Sequence, residues 1–136
     1  MDSCNKDDLY NDSIQTSIIE KAKDHIENYY YQNITLNNLS DILYIHPNYL
    51  SRLFKDETGQ NFSKYLMNVR VDVAKKLLSN RKLRIHQIAE MVGYGSTKYF
   101  VKVFKESTGF LPKDYREQFV NNTNKLSEYN HVGNNQ

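Results

Sequence analysis

The stretch Tyr44-Ile45-His46-Pro47-Asn48-Tyr49-Leu50-Ser51-Arg52-Leu53-Phe54-Lys55-Asp56-Glu57-Thr58-Gly59 is read a second time as Tyr94-Gly95-Ser96-Thr97-Lys98-Tyr99-Phe100-Val101-Lys102-Val103-Phe104-Lys105-Glu106-Ser107-Thr108-Gly109. Displaced by fifty positions, Tyr44, Tyr49, Phe54, Lys55, Thr58, Gly59 and Tyr65 meet identical residues, and Leu50/Phe100, Arg52/Lys102, Leu53/Val103 and Asp56/Glu106 are near matches. Upstream the displacement is forty-nine: Leu36, Leu39, Asp41, Ile42 and Leu43 fall on Ile85, Ile88, Glu90, Met91 and Val92. The second copy thus carries one extra residue, assigned to about Gly93, where a turn between helices tolerates an insertion that a helix interior would not. A duplicated helix, turn, helix unit follows. Two copies are too few for an open solenoid, which points to a two-lobed domain.

Working outward, apolar residues at Ile14, Ile18, Ile19, Ala22, Ile26 and Tyr29 or Tyr30 recur at three and four, predicting an amphipathic helix of about 15 residues after a polar leader or linker over 1–13. The first unit, about 35–59, opens on Thr35 as N-cap, with Leu36, Leu39, Ile42 and Leu43 as one apolar face. After a turn at Tyr44 and Ile45, His46 is the N-cap of the next helix, Pro47 fills its first turn, and Gly59 is placed to end it in the left-handed conformation. Leu50, Leu53 and Phe54 form the buried stripe of that helix. A linker helix, about 61–80, is capped by Asn61 and carries Phe62, Leu66, Val69, Val73, Leu77 and Leu78; about 17 residues at 1.5 Å each make a stiff spacer of roughly 26 Å. The second unit, about 85–109, repeats the plan with Ser96 as cap, Phe100, Val103 and Phe104 as stripe and Gly109 as stop. A short helix from Pro112 with Tyr115 and Phe119 closes a domain spanning 14–119, and the aperiodic Asn-rich residues 120–136 are expected to be a disordered tail. The expected fold is all-α, with two helix-turn-helix units, a long linker helix and about seven helices.

Composition excludes several classes. At 136 residues, 39% apolar and 25% charged, the chain is ordinary for a soluble domain, and no apolar run approaches the roughly 20 residues a bilayer requires. With an acidic, polar N-terminus in place of a secretory signal, the expected location is the cytoplasm, without membrane association. Cys4 is the only cysteine, and His25, His46, His86 and His131 have no ligand spacing, so neither disulfides nor a metal or other cofactor is expected. No nucleophile has a matching base and no glycine loop is built to cradle phosphate; an enzyme is not expected. The net charge of +2 hides an asymmetry: residues 1–30 hold seven acids against three lysines, whereas residues 31–119 hold fourteen bases against eight acids, a balance of +6 that favours a polyanionic partner.

With the core stripe set aside, the second helix of each unit presents Asn48, Ser51, Arg52 and Lys55, and Thr97, Lys98, Val101, Lys102 and Lys105. An α-helix fits the DNA major groove, where arginine bridges two acceptors of guanine, asparagine pairs with adenine and serine or threonine serves either. Lys55 and Lys105, one turn on, are assigned to phosphates, and Tyr49 and Tyr99 are candidates for a hydroxyl–phosphate contact at the rim. One such helix alone is more often a solvated face. The matched pairs Arg52/Lys102 and Lys55/Lys105 on a stiff connector favour two helices entering successive major grooves, about 34 Å apart.

The pattern Leu39-Ser40, Tyr49-Leu50-Ser51-Arg52-Leu53-Phe54-Lys55 and Gly59, then Ile88-Ala89-Glu90, Val92-Gly93-Tyr94, Tyr99-Phe100, Val103-Phe104-Lys105, Gly109, Pro112 and Tyr115-Arg116 closely resembles the DNA-binding domain of AraC/XylS-type transcription regulators, over about residues 14–119. The first helix and residues 46–54 look most like versions attached to response regulators or sugar sensors. The resemblance implies binding of promoter double-stranded DNA and action on RNA polymerase, more often as an activator. It implies base reading by Asn48, Ser51 and Arg52 in the first unit and by Thr97, Lys98, Val101 and Lys102 in the second. Arg116 joins Tyr49, Lys55, Tyr99 and Lys105 as a phosphate contact, and this chain is expected to be monomeric. Three positions depart from the family pattern: His46 stands where serine often caps, Leu111 precedes Pro112 in place of Ser or Thr, and Val101 replaces a polar reader. The thirty residues before the repeat are too few for the sensor such regulators carry, leaving either a small stand-alone regulator or the C-terminal part of a longer one. The alternative reading is a helical protein-interaction module without sequence-specific DNA binding.

Overall fold

The computed structural model describes residues 6–120, with side chains over 12–119. Seven α-helices and no strand occur among the described residues: α1 Lys6–Tyr29, α2 Leu36–Leu43, α3 Pro47–Thr58, α4 Phe62–Leu77, α5 Ile85–Met91, α6 Thr97–Thr108 and α7 Pro112–Tyr115, followed by a π-helical turn Arg116–Val120. Helix α1 starts eight residues before Ile14, so the expected leader is largely helical from Lys6 onward. Extending an existing helix through polar residues is cheap once nucleation is done, and apolar periodicity is blind to it. The first five residues and the expected tail beyond Val120 lie outside the described residues.

Two compact units divide between Val69 and Arg70. In the first, α1 packs against α2 and α3, and Ile19, Ala22 and Ile26 of α1 join Ile34, Leu39, Leu50, Leu53, Phe54, Phe62 and Leu66 in one core. In the second, α6 packs against α5 and α7, and Ile88, Ala89, Val92, Tyr94, Phe100, Val103, Phe104 and Pro112 are buried. Burying ten or so such side chains at about 1.5–3 kcal/mol each is the main force holding each unit together. The linker helix is no bare stalk, because Phe62 and Leu66 of α4 sit in the first core while Val71, Ala74 and Leu78 are buried farther along. Val73 and Leu77, expected on the buried face, are only half-buried. One spacing read along the whole helix misplaces them, since each half packs within its own unit.

The expected caps form. Thr35 accepts from the Asn38 amide at 3.0 Å, Asn61 from Lys64 at 2.8 Å and Ser96 from Tyr99 at 3.1 Å. His46 performs the serine role through its ring, Nδ1 accepting from the Asn48 amide at 3.1 Å. Leu111 leaves α7 without a side-chain cap. Gly59 and Gly109 end α3 and α6 at φ 78° and 84°, a conformation that suits a residue without Cβ. Beside each stop the preceding threonine hydroxyl lies 2.7 or 2.8 Å from the carbonyl oxygen of Phe54 or Phe104 and accepts from the amide of Gln60 or Phe110.

The turns between the paired helices correct the assignment of the extra residue. The Tyr44 and Ile45 amides donate to the carbonyls of Asp41 and Ser40, and the Gly93 and Tyr94 amides donate to those of Glu90 and Ala89. Tyr44 therefore corresponds to Gly93 and Ile45 to Tyr94, at a displacement of forty-nine throughout, and the inserted residue is Gly95. Both Tyr44 (φ 59°) and Gly93 (φ 107°) are left-handed. The apparent identity of Tyr44 and Tyr94 is one of letters only: Tyr44 is 94% exposed and Tyr94 is 8% exposed. Ile42, expected on the apolar face of α2, is likewise half exposed. It lies about 100° round the helix from Leu43, and the small Ser40 takes the buried place, its hydroxyl donating to the Asn37 carbonyl at 2.8 Å.

Candidate nucleic-acid interface

The face of α3 opposite its buried stripe is fixed by helical geometry. With Leu50, Leu53 and Phe54 inward, positions 48, 52 and 55 point the other way at 100° per residue. Asn48, Arg52 and Lys55 are accordingly exposed, and Ser51, at the edge, is half-buried. On α6 the same arithmetic exposes Lys98, Lys102 and Lys105, with Thr97 exposed in the first turn and Val101 half-buried at the edge. None of these five cations is held in an ion pair among the described residues. Unneutralised charge on an outward helical face is what a row of phosphates attracts.

The two rim tyrosines take different places. Tyr49 is half-buried against the first core, its hydroxyl accepts from Gln15 Nε2 at 3.4 Å, and its ring lies 6.0 Å from the Arg52 guanidinium carbon. It offers the site a platform for Arg52 more than a free hydroxyl, since the hydroxyl is turned toward α1. Tyr99 is 55% exposed and lines an open depression of about 470 Å³ with Ser96, Lys98 and Lys102.

Arg116 departs from its expected role at phosphate. Its Nε donates to the Leu78 carbonyl at 3.0 Å, and its Nη2 donates to those of Asn80 and Leu83 at 3.2 and 2.8 Å. The guanidinium thus satisfies carbonyls at and beyond the end of α4, groups that a helix terminus otherwise leaves open. Burial, then the neighbouring Arg81 charge, pushes its pKa down. Nothing in the spacing of Tyr115-Arg116 distinguishes a cation aimed at solvent from one aimed at three carbonyls thirty-odd residues upstream.

Sequence reasoning also missed a contact within the second unit. The Arg70 guanidinium carbon lies 5.1 Å from the Tyr94 ring centroid. Burial raises the Tyr94 pKa, with Arg70 opposing. A pair twenty-four residues apart, one member on a long helix and one in a turn, leaves no periodic signal.

A family model for a helix-turn-helix domain matches residues 39–118. The chain belongs to the AraC-type helix-turn-helix family. It is 36% identical over 114 residues to the transcriptional regulatory protein YesN of Bacillus subtilis strain 168, covering 82% of this chain and 30% of that one. To the HTH-type transcriptional regulator YijO of Escherichia coli K12 it is 32% identical over 117 residues, covering 82% and 41%. Among solved structures, the C-terminal domain of AraT, a response regulator from Geobacillus stearothermophilus, superposes with a TM-score of 0.72 at 38% identity, covering 74% of this chain and 84% of that one. The chain spans less than half the length of the two curated relatives. No helix among the described residues is long and apolar enough to cross a membrane.

Proposed function

We propose that this chain binds a specific site on double-stranded DNA and thereby regulates transcription from a promoter in the cytoplasm, with α3 and α6 entering adjacent major grooves. The observation that carries the reading is the repeated face: on two helices that end in the same glycine stop, the side opposite the core holds small polar groups and cations that make no ion pair among the described residues. Asn48, Ser51 and Arg52 read bases in the first unit, and Thr97, Lys98, Val101 and Lys102 in the second, Val101 through a thymine methyl. Lys55, Lys105 and Tyr99 hold phosphates; Arg116 is left out because its Nε and Nη2 are committed to the fold. The proposal extends to activation through contact with RNA polymerase, by the chain as a monomer.

Selection of bound duplexes from a random pool, followed by titration across salt, tests the reading. The expected result is one long site with two preferred patches about ten base pairs apart, and a log affinity that falls linearly with log salt, with a slope of about −0.9 per phosphate contacted. No enrichment of any sequence, with retention of an acidic protein partner instead, would establish the protein-interaction module.

A further inference from the structure

Arg70 of α4 reaches the buried ring of Tyr94 in the α5–α6 turn at 5.1 Å. The turn is itself pinned, the Tyr94 amide donating to the Ala89 carbonyl at 2.9 Å. The Tyr94 ring then meets two residues of α6: Phe100, in the core at 5.7 Å, and Tyr99, edge to face at 5.8 Å and 62°. A continuous run of contacts thus leads from a cation on one helix, through a buried aromatic, to an exposed aromatic on the face that carries Lys98 and Lys102. The first unit has Ile45 in the place of Tyr94, and its Tyr49 is steadied from α1 instead.

We propose that Arg70 and Tyr94 are positioning residues for DNA binding by the second unit, clamping the α5–α6 turn so that the Tyr99 ring forms a fixed wall of the depression and directs its hydroxyl to a backbone phosphate. The inference rests on the DNA-binding reading above. The chemistry of the depression suits a sugar–phosphate segment: the tyrosine ring and the lysine stems offer apolar surface to deoxyribose, while the ammonium heads and the hydroxyl meet the phosphate. An edge-to-face pair holds a ring in one orientation only if its partner is itself immobile, and a cation over the buried ring supplies that immobility.

The test uses the full chain with Arg70→Met, Arg70→Lys, Arg70→Gln, Tyr99→Phe and the Arg70→Met/Tyr99→Phe double variant. Amide and ring resonances are recorded in the free protein, and affinity is measured for the selected duplex and for a random one. Arg70→Met is expected to shift the resonances of Ser96 to Phe100 while those of Leu50 and Phe54 stay in place. It is expected to weaken both duplexes by roughly tenfold, with Arg70→Lys restoring most of the loss and the double variant no weaker than Tyr99→Phe alone. Additive losses, or unmoved Ser96-to-Phe100 resonances, overturn the proposal. Should Arg70→Met fail to fold, Arg70→Gln, which removes the cation and keeps a polar side chain on α4, decides by the same two measurements. If the unaltered chain bound no duplex, the DNA-binding reading would fall, and with it the phosphate role of Tyr99; the resonances would still decide whether the clamp positions α6.

Discussion

In the first unit the left-handed turn after the leading helix is made by Tyr44, with its ring in solvent; in the second the same turn is made by Gly93, and the aromatic has moved one place on, to the buried Tyr94. At their far ends the units scarcely differ. Thr58-Gly59 and Thr108-Gly109 make the same stop with the same hydrogen bonds, and Phe54/Tyr65 and Phe104/Tyr115 pair edge to face at 5.2 and 5.5 Å. Divergence is concentrated in the turn that sets the pose of the outward helix and in the cation that helix presents, Arg52 in one unit and Lys102 in the other. Duplicated letters therefore mark duplicated places only where backbone hydrogen bonds are duplicated too.

The largest expected difference is at those cations. Arginine can satisfy two acceptors of one guanine with a planar fork, and the Tyr49 ring supports that fork; lysine acts as a point charge. Arg52→Ala should cost about 1–3 kcal/mol on the selected sequence and much less on random DNA, and Lys102→Ala should cost less and discriminate less. Equal losses on all sequences for Arg52→Ala, measured by competition titration, would remove it from the base readers and level the two units.

A smaller effect separates the turns. Gly93→Ala places a Cβ at φ 107° and should destabilise by about 1 kcal/mol or more, whereas Tyr44→Gly relieves the first turn of a left-handed side chain. Because glycine also loosens the unfolded chain, the gain at Tyr44 is expected to be below about 1 kcal/mol. Denaturant titration of both variants checks the equivalence of the two positions: a stabilised Gly93→Ala would contradict it.

The smallest effect is one of pH. Burial raises the Tyr94 pKa above its ordinary value of 10.0, so the folded state holds the phenolic proton more tightly than the unfolded one. The contribution is fully present below about pH 10 and is lost as pH rises through the folded value. Tyr94→Phe should flatten the alkaline end of the stability profile in the second unit. Tyr65 of the first unit, raised by burial and then by Glu27 and Glu20, keeps its own alkaline response in that variant. An unaltered profile in Tyr94→Phe would mean that the phenol titrates alike in both states.

Much of this molecule can be read from residue order. Apolar spacing located all seven helices, Pro47, Ser96, Gly59 and Gly109 located the ends of α3 and α6, and the outward positions of those two helices followed from the stripe opposite, because these features depend on contacts within four residues along the chain. Arg116, Tyr94 and Tyr49 lay beyond that reach. The part each plays is set by partners twenty-four to thirty-eight residues away, and a side chain that bonds a distant carbonyl or ring has the same one-letter code as one that faces solvent. Local geometry is written in spacing; the use of a polar or aromatic group is settled only when folding brings its partner within reach.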